Sequence, residues 1–181
     1  MTGCQRVRQV LGGGHVDRPP ILPIVHTGLA PLFGVPLREF FSRAQVMAQV
    51  VVRGYREFGY DGVQLSLGVT AEAEALGARI ELPGSGLPVL KEHLLADPGS
   101  VDELRHQDPT TGGRMQLFLD AVQRVAREIG HEAFVLATLR GPLLCASQLR
   151  GTEQILMDMI DTPEEAAKLL DLTADVALKL G

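Results

Sequence analysis

Tryptophan is absent from this 181-residue chain, and aromatic residues make up only 4% of it. So few rings leave little on which bases could stack, which argues against recognition of single-stranded nucleic acid. Positive charge is also in deficit: 17 Lys and Arg against 22 Asp and Glu give a net charge of -5. A partner held by bulk attraction to phosphates or anionic lipids is therefore excluded. No apolar run reaches the roughly 20 residues that a membrane-spanning helix needs, and the start MTGCQRVRQV has no apolar signal-peptide core. Cysteine is limited to Cys4 and Cys145, too few for a disulfide framework. Together these absences predict a soluble protein of the reducing cytoplasm, without a membrane or nucleic-acid partner.

What is present is an ordinary globular composition, with 45% hydrophobic and 22% charged residues. Length alone suggests one domain spanning 1–181. Residues 4–11 read as a short helix stopped by the glycines at 12–14, and ILPIV at 21–25 reads as a first strand entered through Pro19 and Pro20. Phe41, Ala44, Met47, Val51, Tyr55 and Phe58 recur at helical spacing, which predicts one helix over 37–58 ended by Gly59. GVQLSLGV at 62–69 is the second expected strand and AEAEALG at 71–77 a helical turn. The Pro/Gly-rich ELPGSGLP separates two short extended pieces between 78 and 90, most simply a hairpin or an excursion.

The pattern repeats in the second half. Ser100 and Glu103 have capping-box spacing, 113–129 is an amphipathic helix, and AFVLATL at 133–139 is the third expected strand. Helix resumes after Pro142. The last helix opens on Thr162, Pro163 and Glu165, which predict N-cap, first-turn proline and capping-box acid; its apolar face carries Leu169, Leu172, Val176 and Leu180. Alternating strands and helices imply a parallel sheet with right-handed crossovers. Two architectures satisfy that pattern: about half of a (β/α)8 barrel, which typically takes roughly 250 residues, or a small open sheet covered on both faces. Periodicity does not choose between them.

Several stretches carry a resemblance. VDRPP before an apolar run, then FGYDGVQLSLGVTAEAEALGARI, then DP followed by GRM, then LRGPLLCASQLRG, occur here in the order found in the uroporphyrinogen decarboxylase superfamily. That superfamily includes cobalamin-dependent methyltransferases acting on coenzyme M and methylated substrates. The resemblance covers nearly the whole chain but only the N-terminal half of a family member. It implies an α/β fold of the (β/α)8 TIM-barrel type, about its N-terminal half, with functional loops at the C-terminal ends of the strands.

Two activities follow from the resemblance, and the residues separate them. The decarboxylase branch, in porphyrin and heme biosynthesis, places two arginines after RPP for the carboxylates of its tetrapyrrole. Here those positions fall on Val25 and Leu29. Where that branch has an aspartate after the second strand, this chain has Leu67 or Gly68; where it has a tyrosine in the helix after the third strand, this chain has Ser147 or Gln148. Four departures disfavour decarboxylation. The methyltransferase branch accommodates VDRPP, EAEALG and the GP-containing third loop, so the expected function is methyl transfer between a methyl-corrinoid protein and a thiol or other acceptor. Its zinc is held by a His-x-Cys pair and a distant Cys. No His-x-Cys occurs in this sequence. Zinc, and a corrinoid carried by a partner protein, are therefore expected only if a C-terminal half is supplied; the chain alone is expected to hold neither. Expected partners are a small-molecule or corrinoid-protein substrate, and either a second copy or a complementary C-terminal half. The remaining alternative is a non-catalytic half-barrel, either an interaction module or a truncated product.

Candidate site residues follow from position. His26, expected at a strand end, and Glu72 are the candidate catalytic groups. Glu72 and Glu74 lie two apart and do not share a helical face, so one is expected to point into the site and the other to solvent. Arg18, Gly68, Arg140, Ser147 and Gln148 are candidate substrate-binding residues. Arg18 has a second reading, in which it pairs with Asp17 or Asp61 and fixes the first loop; Arg140 likewise has an ion-pair reading, and Gly141 permits close approach. Cys145 is expected to be buried and inert, and DPTTGG at 108–113, without the Lys-Ser/Thr of a phosphate loop, is expected to be a turn.

Overall fold

The computed structural model describes residues 1–95 and 101–181. The chain divides into two compact units, one made of residues 1–66, 84–86 and 117–138, the other of 67–83, 87–116 and 139–181.

The first unit begins with α1 (Gly3–Leu11). Thr2 caps it: its hydroxyl accepts from Gln5 N while the Gln5 side chain accepts from Thr2 N, the reciprocal pairing that satisfies two helix-end donors. The expected first strand is corrected here. Ile21–Val25 makes no ladder: Ile21 O accepts from Asp61 N at 2.8 Å, and Val25 O already accepts from Leu29 N at 3.1 Å. Pro23 explains this, since it interrupts the run of N–H donors that a ladder requires. The chain turns directly into α2 (His26–Leu32), so His26 is the first residue of a helix rather than the last of a strand.

The single helix expected over 37–58 is two, α3 (Leu37–Ser42) and α4 (Ala44–Phe58), broken where Arg43 adopts an extended backbone. The expected face is buried at Phe41, Met47 and Val51, but Phe58 is exposed. Gly59 closes α4 with φ 65, the left-handed geometry that favours glycine. Two parallel strands follow in sequence, β1 (Gly62–Leu65) and β4 (Phe134–Ala137), paired with Gly62 opposite Phe134 and Leu65 opposite Ala137. Both are shorter than their apolar runs. Phe134 N donates to Asp61 O and Thr138 N to Leu65 O, which turns Val135 and Ala137 toward the other edge of β4. No further strand pairs on that edge among the described residues. The greater part of α7 (Met115–Ile129) completes this unit, with Phe118, Val125 and Ile129 buried.

The second unit contains α5 (Ala71–Ala75), the antiparallel pair β2 (Ile80–Glu81) and β3 (Val89–Leu90), and α6 (Val101–Leu104). The expected hairpin is therefore present. Ser100, half of the expected capping box, lies outside the described residues. Three helices end the chain: α8 (Pro142–Arg150), α9 (Thr152–Asp161) and α10 (Pro163–Leu180). One core joins Ala73, Leu76, Leu95, Leu149, Ile155, Leu169 and Val176 among others. The predicted capping box at the start of α10 does not form. The Thr162 hydroxyl instead donates back to Asp158 O at 3.4 Å, and Glu165 pairs with Lys168 at 2.7 Å.

DPTTGG is a turn, as expected, fixed by Asp108 Oδ1 accepting from Thr110 N at 3.0 Å and from its hydroxyl at 2.8 Å. Its glycines allow close approach to α5: a Cβ on Gly112 would lie 2.0 Å from Ala75 O. Gly112→Ala must push backbone aside, and an overpacking cost of about 1–3 kcal/mol is expected, read as a lower urea midpoint.

Candidate functional site

In the first unit, the stretch VDRPP is organised by charge. Asp61, buried just before β1, accepts from both terminal nitrogens of Arg18 at 2.6 and 2.9 Å, from Ile21 N at 2.8 Å, and from Arg6 Nη1. Arg6, also buried, makes a two-pronged pair with Asp17 at 2.7 and 2.8 Å. Of the two readings of Arg18, the structure shows the pairing with Asp61. Burial by itself would raise the Asp61 carboxyl, but the hydrogen bonds from Arg18 and Ile21 and the charges of Arg6 and Arg18 hold it below its ordinary value. The hydrogen bond from Arg6 holds Asp17 well below the carboxylate range. Arg6 was not singled out in the sequence; an arginine on the mostly polar face of a terminal helix gives no local sign of a partner 55 residues away.

His26 is half-buried, and its Nδ1 shares a hydrogen bond with the Thr27 hydroxyl at 2.7 Å. Beside it lies a groove of about 540 Å³ lined by Ile24, Val25, Leu29, Leu32, Phe58 and Tyr60. Ile24, Leu32 and Phe58 are 78%, 63% and 53% exposed, a concentration of apolar surface that solvent does not favour. Burial pushes the Tyr60 hydroxyl up to about 12, so Tyr60 itself meets this groove as a neutral phenol near neutral pH.

The polar constellation is in the second unit. Glu72, in the first turn of α5, is 3% exposed, and its Oε1 accepts from Arg140 N at 2.7 Å. Arg140 answers with its side chain: Nε donates to Gly68 O at 3.1 Å. Gly68 has φ 90, a conformation that glycine adopts without strain. Three of the candidate residues, Gly68, Glu72 and Arg140, are thus joined by two hydrogen bonds. Glu74 turns elsewhere and pairs with Arg114 at 2.7 Å; its side chain is only 17% exposed, so the two glutamates part company but neither is turned out to solvent, because the Arg114 guanidinium holds Glu74 in. Ser147 is buried, and its hydroxyl donates to Leu143 O at 2.8 Å, leaving it only acceptor capacity for a ligand. Gln148 is half-buried, and its backbone oxygen shares a hydrogen bond with His93 Nδ1 at 2.9 Å. Arg150 and Asp158, not anticipated from sequence, form a second largely buried pair at 2.7 Å.

Cys145 is buried, and burial, reinforced by the charge of Glu72, pushes its thiol up to about 12, away from the thiolate that zinc requires. No helix among the described residues is long and apolar enough to cross a membrane.

Residues 2–180 match the sequence profile of the family described as uroporphyrinogen decarboxylase (URO-D). Among curated proteins, the chain is 24% identical to the methylcobamide:CoM methyltransferase MtaA of Methanosarcina barkeri, over 96% of this chain and 52% of that protein. It is 25% identical to the methylcobamide:CoM methyltransferase MtbA of Methanosarcina mazei with the same coverage. A methylated-thiol–coenzyme M methyltransferase of Methanosarcina mazei is 22% identical over all of this chain and 50% of its own length. The chain therefore spans about half the length of these relatives. A solved methyltransferase from Methanosarcina mazei superposes with a TM-score of 0.88 at 20% identity, covering 99% of this chain and 54% of that one. The fold is the N-terminal half of a (β/α)8 barrel, not the small open sheet.

Proposed function

Because the chain belongs to the uroporphyrinogen decarboxylase family, we propose that it is the N-terminal half of a barrel that moves a methyl group between a methyl-corrinoid protein and a thiol. The observation carrying this reading is that the relatives matched over nearly the whole chain are named as methylcobamide:CoM or methylated-thiol–coenzyme M methyltransferases. The local chemistry supports it. Leu29 is buried and Val25 is an apolar residue at the start of α2, so the positions that would meet the carboxylates of a porphyrin precursor carry no positive charge. In this reading Gly68, Arg140 and Gln148 are substrate-side groups, and His26 handles a proton beside the apolar groove. The zinc that activates the thiol is held by residues of the completing half.

Completion follows from strand arithmetic. The barrel takes eight strands. This chain supplies β1, β4 and the unladdered Ile21–Val25, so two copies would bring six. A C-terminal half with five strands fits the open edge of β4 and the groove beside Ile24 better than a second copy does.

Methyl transfer is read from the visible spectrum of methylcob(III)alamin in the presence of coenzyme M. The chain alone is expected to leave the spectrum unchanged. Joined to a C-terminal half carrying His-x-Cys and the distant Cys, it is expected to produce cob(I)alamin. Decarboxylation of uroporphyrinogen by the completed barrel would overturn the reading.

A further inference from the structure

Glu72 is the buried carboxylate of the constellation, and its two oxygens differ. Oε1 accepts from Arg140 N at 2.7 Å, a charge-assisted bond to backbone. Oε2 is buried and has no hydrogen-bond partner among the described residues. The segment that receives this carboxylate is short: Thr138 ends the pairing with β1, Gly141 already caps α8, and Pro142 is its first residue. Arg140 therefore sits on a connection with few backbone bonds of its own. Its guanidinium in turn reaches the other loop, at Gly68 O. Thus α5 gives a side chain to the backbone at residue 140, and Arg140 gives one to the backbone of the loop before α5.

We propose that Glu72 is a positioning residue that acts through Arg140: by holding the Arg140 amide it fixes the loop between β4 and α8, and thereby aims the Arg140 guanidinium at the loop that follows β1. The order of dependence is specific. The Arg140 side-chain bond to Gly68 requires a fixed backbone at residue 140, whereas the backbone bond to Glu72 does not require the guanidinium. A glutamate is suited to this because its length carries an oxygen from α5 to a backbone donor 68 residues away in sequence. The inference concerns this chain alone and holds whichever reaction the completed barrel performs.

The test uses the ¹⁵N-labelled full chain, with amide exchange at residue 140 and the Arg140 Nε–H resonance as separate readouts. In Glu72→Ala the amide is expected to exchange at least about tenfold faster, since a hydrogen bond to a charged group is lost. The Nε–H resonance is expected to move to the position of a solvent-exposed arginine. Glu72→Gln keeps an oxygen acceptor, and protection within about threefold of the parent is expected, because only the charge assistance is removed. Arg140→Lys abolishes the Nε signal but is expected to leave the residue-140 amide protected. If Glu72→Ala does not fold, Glu72→Asp, one methylene short, is read in its place with the same expectation. Unchanged amide protection in the Ala or Asp variant overturns the proposal. So does loss of amide protection in Arg140→Lys, which would make the guanidinium the holder and Glu72 the follower.

Discussion

Asp61→Ala is expected to cost about 3 kcal/mol of stability, because it leaves buried Arg6 without one of its two carboxylates and removes both prongs of Arg18. Asp61 is 3% exposed and accepts from four donors, two guanidinium nitrogens of Arg18, one of Arg6 and the backbone of Ile21. That single side chain ties α1, the VDRPP loop and the start of β1 together. Breaking it frees the entry to Ile21–Val25, which has almost no hydrogen bonding of its own. Thermal unfolding followed by circular dichroism checks the magnitude, and a loss below about 1 kcal/mol would place the cluster among weak surface pairs. The same carboxylates set the acid limit. Asp61 and Asp17 are both held below their ordinary values when folded. Their contribution is therefore fully present above the unfolded carboxylate pKa of about 3.9 and is lost as pH falls below it through the depressed folded values. The Asp61 variant should lose much of this steep acid dependence.

Arg150→Ala is the second large effect expected, about 2–3 kcal/mol. Arg150 closes α8, is 8% exposed, donates to Asp158 at 2.7 and 3.3 Å and to Leu95 O at 2.8 Å. It therefore holds the α8–α9 corner and the segment after β3 at once. Removing it leaves the Asp158 carboxylate, itself only 21% exposed, without its cation, and strips a donor from a buried carbonyl. Arg150→Lys is expected to recover less than half of the loss, because an ammonium cannot meet a carboxylate and a carbonyl with the geometry of a planar fork. Denaturant midpoints of the two variants check this. Equal stability of Arg150→Lys and the parent would mean that charge alone, not the fork, matters at this corner.

Sequence patterning reached the repeating framework and the family, and it failed where partners are remote. The hairpin across 80–90, the turn at 108–113 and the helices near 115–129 and 163–180 were legible because each rests on local chemistry: glycine and proline placement, an Asx turn, apolar residues at helical spacing. Ile21–Val25 misled because its apolar run outweighed Pro23, whose missing N–H only matters once a ladder has to form. The break at Arg43 was invisible because the apolar positions stay in phase across it. At the site, Gly68, Glu72 and Arg140 were each singled out for their positions near strand ends. Their mutual bonding was not legible, because a side chain meeting a backbone group far along the chain leaves no trace in residue types. The same reason hid Arg6, Arg114 and Arg150, whose partners lie 55, 40 and 8 residues away.

The measurement that bears most directly on the half-barrel account is sedimentation velocity of the purified chain over a hundredfold range of concentration, for the parent and for Phe58→Asp. Phe58 is exposed in the groove beside Ile24, so the substitution is not expected to unfold the chain. The account predicts that the parent associates as concentration rises, since the unpaired edge of β4 and the apolar groove remain uncovered, and that Phe58→Asp weakens this association. An ideal monomer at every concentration, indifferent to Phe58→Asp, would contradict it.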